Sequence, residues 1–178
     1  MTLLERAQAL QTEAHQLADQ LDLQTAFPWP GQVIGSALSG LMVVRDLDVV
    51  FDAPGATAAD VLEGLAVLAR RVDTLDVDFR DERGARRPTP VITDERFYAV
   101  LQVNGRWKVD LTFWLHVVDR PFLRDAQRLR EAPEEQRLTI LQLKDACRGV
   151  HSTDIYNAVL HNCVRTPTEL DTYLQAPH

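Results

Sequence analysis

Cysteine and lysine are both scarce in this chain. Its 178 residues include two cysteines, Cys147 and Cys163, which have no metal-ligand spacing; each is expected reduced, in a helix interior. The five histidines show no ligand spacing either. His161 and Cys163, two positions apart, cannot share a helix face. No P-loop, zinc motif, nucleophile elbow or dinucleotide fingerprint is present, and there is no internal repeat or low-complexity segment. No apolar run is long enough to span a membrane. The N-terminus lacks the charged start and apolar stretch of a signal peptide, so the cytoplasm is the expected compartment. A net charge of -7 argues against a large basic tract for long nucleic acid, which needs phosphate neutralisation, though it allows a local basic patch. The basic residues are almost all arginine, which leaves Lys108 and Lys144 as the only lysines.

What is present is an ordinary globular composition, 46% hydrophobic and 25% charged, long enough for one cored domain with a helical appendage. Leu3, Leu10, Leu17 and Leu21 recur at helical intervals over residues 3–22. A short strand over 32–35 and an acidic strand over 45–51 follow, then a turn at Ala53-Pro54-Gly55. Thr57 and Asp60 resemble a capping box for a helix to about Arg71. Residues 75–79 read as a third strand, and the charged, proline-bearing stretch 80–95 as an exposed loop. Residues 96–103 and 106–115 form a hairpin across Asn104-Gly105, a pair suited to a two-residue turn. In its second arm Trp107, Val109, Leu111, Phe113 and Leu115 share the core face; Lys108, Asp110, Thr112 and Trp114 share the other. Helical periodicity returns over 121–131, 134–148 and 153–165. Thr166, Pro167 and Glu169 then start a last short helix. This order predicts an α+β fold: a mixed sheet with helices on one face, built by residues 1–118, and a C-terminal helical region, 119–178, packed on it.

The stretch from Gly35 to Phe51, GSALSGLMVVRDLDVVF, concentrates the chemistry. Asp46 and Asp48 alternate with Leu47, Val49 and Phe51, so both carboxylates share one strand face. Two carboxylates side by side repel and call for a cation. Mg²⁺, held by one or two carboxylates plus phosphate oxygens, suits an acidic strand facing a triphosphate. Gly35 permits close backbone approach, and Ser36 offers a hydroxyl where a helix can begin with its amides toward an anion.

These residues resemble the signature of the polymerase-β-like nucleotidyltransferase superfamily, G-S-x-A-x-G-x-x-x-x-S-D-x-D. Gly35, Ser36, Gly40, Asp46 and Asp48 fall at matching spacings; Leu38 and Arg45 replace the usual Ala and Ser. The resemblance implies a nucleotidyltransferase fold and a third acid from a later strand beside the first. Asp110, between Val109 and Leu111, is the candidate; the competing reading is a solvated acid beside Lys108. Asp76 and Asp78 form a second D-x-D without a preceding Gly-Ser pair, read as a solvated strand face, with membership of the site left open. Arg45 either reaches a phosphate, as guanidinium groups do, or points to solvent. Superfamily members often place a basic residue of a later helix on the triphosphate. Lys144 is the candidate here, against a surface lysine paired locally.

The implied activity is transfer of a nucleoside monophosphate from a nucleoside triphosphate, with ATP the expected donor, to a hydroxyl of an acceptor, releasing pyrophosphate. Asp46 and Asp48 would bridge two Mg²⁺ ions, Asp110 would bind the catalytic one, and Gly35 and Ser36 would hold the β- and γ-phosphates. The acceptor is expected to be a small molecule such as an antibiotic, or a protein. Residues 120–175 are left, by elimination, to wall it. A protein partner or a homodimer stays open. The alternative is a non-catalytic module that binds a nucleotide or a partner, such as a toxin–antitoxin component; three converging acids are more than binding alone requires.

Overall fold

Two strands distant in sequence meet at the centre of the fold. In the computed structural model, which describes residues 1–176, β2 (Asp46–Asp52) lies parallel to β5 (Trp107–Trp114). β1 (Gly31–Val33) pairs antiparallel on the outer side of β2. β4 (Arg96–Val103) and β3 (Thr74–Glu82) continue antiparallel beyond β5, giving the order β1-β2-β5-β4-β3. The mixed sheet matches the α+β expectation.

Strand alternation decides which face is covered. Leu47, Val49 and Phe51 of β2, and Val109, Leu111 and Phe113 of β5, are each at most 1% exposed. They pack under α1 (Leu3–Leu21), through Leu10, Leu17 and Leu21, and under α4 (Ala58–Arg71), through Val61, Leu65 and Leu68. Full burial of each such side chain stabilises the fold by about 1.5–3 kcal/mol. The Phe51 and Phe113 rings stack at 4.5 Å, and Phe27, after the short α2 (Leu23–Ala26), closes on both. α4 comes so near that a Cβ on Gly64 would meet Phe27 Cε1 at 2.1 Å. Capping boxes at Thr2/Glu5 and Thr57/Asp60 satisfy the first amides of α1 and α4.

Val103 pairs with Trp107, so three residues, Asn104 to Arg106, make the hairpin turn where two were expected, and Asn104 and Gly105 take φ 51 and 67. After β5 the chain forms α5 (Phe122–Glu131), α6 (Glu134–Ala146), α7 (Ser152–Asn162) and α8 (Pro167–Gln175). Their apolar faces build a second cluster around Ile140, Leu141, Ile155 and Leu170, which takes in Ala7 of α1 and Leu41. An ion pair from Arg6 to Asp145 at 2.7 Å crosses the same junction. Of the expected C-terminal region, Pro177 and His178 lie outside the described residues. Among the described residues no helix is long and apolar enough to cross a membrane.

Two local expectations change. β3 runs on to Glu82, past the expected end at Phe79, because Arg80 and Glu82 pair with Tyr98 and Arg96. The Arg96–Glu82 ion pair closes at 2.5 Å, and Arg96 lies over the Tyr98 ring. These charges belong to a strand face, and the loop proper begins at Arg83 and holds two short 3₁₀ turns. The cysteines occupy helix ends instead of interiors. Cys147 caps α6, while Cys163 caps α7 in the left-handed region at φ 56 and is exposed.

Candidate active site

The β2–β5 register creates the site. Asp48 lies opposite Asp110 and Asp46 opposite Lys108, all on the sheet face away from α1 and α4. One carboxylate oxygen from each of Asp46, Asp48 and Asp110 lies within 4.8 Å of the others. Among the described residues no other group of His, Cys, Asp or Glu converges in this way. Gly35 opens α3 (Gly35–Ser39) at φ +63, and a Cβ there would lie 2.6 Å from Asp48 Oδ2. Only glycine lets the chain turn this close to the carboxylate.

The carboxylates are held against their own repulsion. Burial, then the charges of Asp46 and Asp110, pushes Asp48 up to about 7. Burial likewise raises Asp46. Lys108 Nζ donates to Asp110 Oδ2 at 2.6 Å and to Asp46 Oδ1 at 3.4 Å. Burial alone would lower the Lys108 ammonium, but the Asp110 hydrogen bond and the Asp46 charge hold it above its ordinary value. Asp110 Oδ1 is buried without a hydrogen-bond partner. An orphaned carboxylate oxygen beside two raised carboxyls is what a divalent cation would relieve, and an all-oxygen donor set suits Mg²⁺. The residues present therefore fit a metal ion held by Asp46, Asp48 and Asp110.

Two hollows meet at Asp48. One, about 320 Å³, is lined by Gly35, Ser36, Asp46, Asp48, Lys144 and Tyr156. Lys144 Nζ donates to the Leu41 carbonyl at 2.8 Å and to Tyr156 Oη at 3.2 Å. Burial lowers this lysine to about 8, although Asp48 and Asp46 pull the other way. The second hollow, about 400 Å³, lies across the sheet between Asp48, Asp110, Tyr98, Thr112, Arg80 and Arg96. Burial, with the Asp110 charge beside it, raises Tyr98 to about 12. A larger cavity of about 600 Å³ near Gln8, Gln11, His15 and Arg137 lies away from the carboxylates.

Gly35, Ser36, Asp46, Asp48, Asp110 and Lys144 are thus brought together by the fold. Arg45 is not. Its Nε and Nη2 bind the two Glu13 oxygens at 2.9 and 3.2 Å, which turns the guanidinium onto α1. Asp76 and Asp78 sit on edge strand β3, with β4 between them and β5; Asp78 pairs with Arg80 at 2.5 Å. Arg148, Gly149, Val150 and Tyr156, within the stretch expected to wall the acceptor, line the hollow beside Gly35 and Ser36. Sequence reasoning missed Tyr156, which reaches the site only through packing of α7 on α6. It placed Lys108 on the Asp110 face without giving it a role, although a lysine two residues from a candidate metal ligand was a visible signal.

Solved structures share this fold. A cytoplasmic RNA terminal U-transferase superposes with a TM-score of 0.58 at 14% identity, over 89% of this chain and 50% of its own. Terminal uridylyl transferase 4 from Trypanosoma brucei gives 0.52 at 16% identity, over 91% and 59%. The chain shares the fold of these terminal uridylyl transferases. At such identities the likeness concerns the fold, and the chain spans only 50–59% of the length of these nucleotidyltransferases. No protein-family model and no curated protein matches the chain. The acidic pair lies on β2 and the third acid on its parallel neighbour β5, the placement that the resemblance implied.

Proposed function

We propose that this chain is a metal-dependent nucleotidyltransferase. An acceptor hydroxyl oxygen attacks the α-phosphorus of a nucleoside triphosphate. The bond from that phosphorus to the bridging oxygen of the β-phosphate breaks, and pyrophosphate leaves with its electron pair. The hydroxyl proton passes to a triad carboxylate or to water. The observation that carries this reading is the convergence of three carboxylates, one with an orphaned oxygen, beside the Gly35 turn.

Bound at the triad, Mg²⁺ would neutralise charge on the transferring phosphoryl group. The chain's own residues do the rest by positioning. Gly35 and Ser36 border the donor hollow with their backbone and hydroxyl, and Lys144 brings a cation to the triphosphate. A triphosphate beside the buried Lys144 favours its charged form. Tyr156 offers the donor's base an aromatic wall. The hollow between Tyr98, Thr112, Arg80 and Arg96 is the acceptor side, because it reaches Asp48 and Asp110 from the side away from Lys144 and Tyr156. Its volume suits a small molecule or the end of a larger one.

Thermal unfolding and pyrophosphate release, measured with each of the four nucleoside triphosphates with and without Mg²⁺, test the proposal. ATP is the donor expected from sequence; UTP belongs in the comparison because the structural neighbours are uridylyl transferases. Metal-dependent stabilisation by a nucleotide, lost in Asp46→Ala/Asp48→Ala, is the expected result. No response to any nucleotide would overturn the assignment.

A further inference from the structure

Lys108 places a fixed positive charge inside the carboxylate cluster. It precedes Asp110 by two residues on β5, so the two side chains share a face, and it lies opposite Asp46 in the register. Its Nζ lies 2.6 Å from Asp110 Oδ2 and 3.4 Å from Asp46 Oδ1. An ion bridging these two carboxylates would contact each oxygen at about 2.0–2.2 Å, in the volume the ammonium now fills. Two cations cannot occupy that edge together, because at contact distance they repel strongly even with partial screening. The other edge, between Asp46 and Asp48, faces the donor hollow beside Gly35 and Ser36, and Lys108 makes no hydrogen bond to Asp48.

We propose that the Lys108 ammonium is a resident counter-cation that takes the place of a second divalent ion on the Asp46–Asp110 edge, so that the triad binds a single divalent ion, reached from the Asp46–Asp48 side and held by those two carboxylates with the free Oδ1 of Asp110. The inference rests on the metal-binding reading of the triad given above. Lys108 thereby acts as a positioning residue. It holds β2 and β5 carboxylates together before any nucleotide arrives, and it leaves ion delivery to the edge where a triphosphate docks.

The test is equilibrium Mn²⁺ binding, with the metal alone as probe, read by the electron paramagnetic resonance of the free ion. Wild type, Lys108→Met, Lys108→Gln and Asp48→Asn are compared. The Gln variant keeps a donor to Asp110 without the charge, should Met disturb folding. Wild type is expected to bind one Mn²⁺ per chain, and both Lys108 variants two, the second at least about tenfold tighter than any second ion in wild type. Asp48→Asn is expected to lose the wild-type ion. Two ions in wild type, or one ion of unchanged affinity in both Lys108 variants, would overturn the role of Lys108 and leave the metal site standing. No Mn²⁺ bound by any of these proteins would overturn both readings.

Discussion

Replacing Asp48 with asparagine removes a carboxylate that the fold holds against its preference, and the consequence for stability has a definite sign. Burial, reinforced by Asp46 and Asp110, raises this group from an ordinary value near 3.8 to about 7. Below about pH 4 both the folded and unfolded chains carry the proton, and the group is neutral toward stability. As pH rises from about 4 to 7 the unfolded chain releases its proton first, so the folded state progressively loses stability; above 7 the full penalty applies. A shift of three units corresponds to about 4 kcal/mol at ~1.4 kcal/mol per unit, and side-chain relaxation with water entry brings this to roughly 2 kcal/mol. Metal-free Asp48→Asn should therefore be more stable than wild type at pH 8. Its melting temperature should rise by roughly 4–8 °C for a chain of this length, and the gap should close near pH 4. Circular dichroism melts in chelator across this range read the effect directly. Mg²⁺ should stabilise wild type and leave the variant unchanged. A variant less stable than wild type at pH 8 in chelator, or a gap that ignores pH, would refute the account of a strained, cation-demanding carboxylate.

Other substitutions probe separate links. Gly35→Ala places a methyl 2.6 Å from Asp48 Oδ2 at a positive φ. It is expected to abolish nucleotide-dependent stabilisation, whereas retained stabilisation would show that the turn tolerates a side chain. Gly64→Ala drives a methyl into Phe27 and should cost about 1–3 kcal/mol in a urea titration, with no change in metal binding. Asp110→Asn should lower turnover by at least about 10²-fold while the circular dichroism spectrum stays native; near-normal turnover would remove Asp110 from the site. Arg45→Ala breaks a half-exposed pair with Glu13. It should shift stability by less than about 1 kcal/mol and leave the nucleotide response intact.

The sheet and the acidic site were legible because both are written in period-two alternation. Asp48 and Asp110 each stand between apolar residues, and Asp46 is two before Asp48, so a strand assignment alone puts all three on the face away from α1 and α4. The Asn104-Gly105 pair located the hairpin turn, and capping boxes marked two helix starts, at Thr57 and Thr166. Charge composition misled at Arg80 and Glu82, where the cross-strand partners Tyr98 and Arg96 turn a polar stretch into a strand. Tyr156 and the fate of Arg45 were illegible for a different reason. Each depends on which helix packs where, and neither α1's Glu13 nor the approach of α7 leaves a local signal near the motif.

The parallel pairing of β2 with β5 also orders events in time. Asp46 and Lys108 are 62 positions apart in the chain, whereas β4 and β5 are joined by a three-residue turn. A hairpin of that kind closes in about 1–10 μs, but distant parallel strands must first lose the freedom of the long segment between them. Asp110 therefore waits on a ready hairpin until β2 docks. Before that moment the acids are strangers, and an ion finds nothing to chelate. Metal affinity becomes a late milestone of folding, and stopped-flow metal uptake would clock the docking of β2 itself.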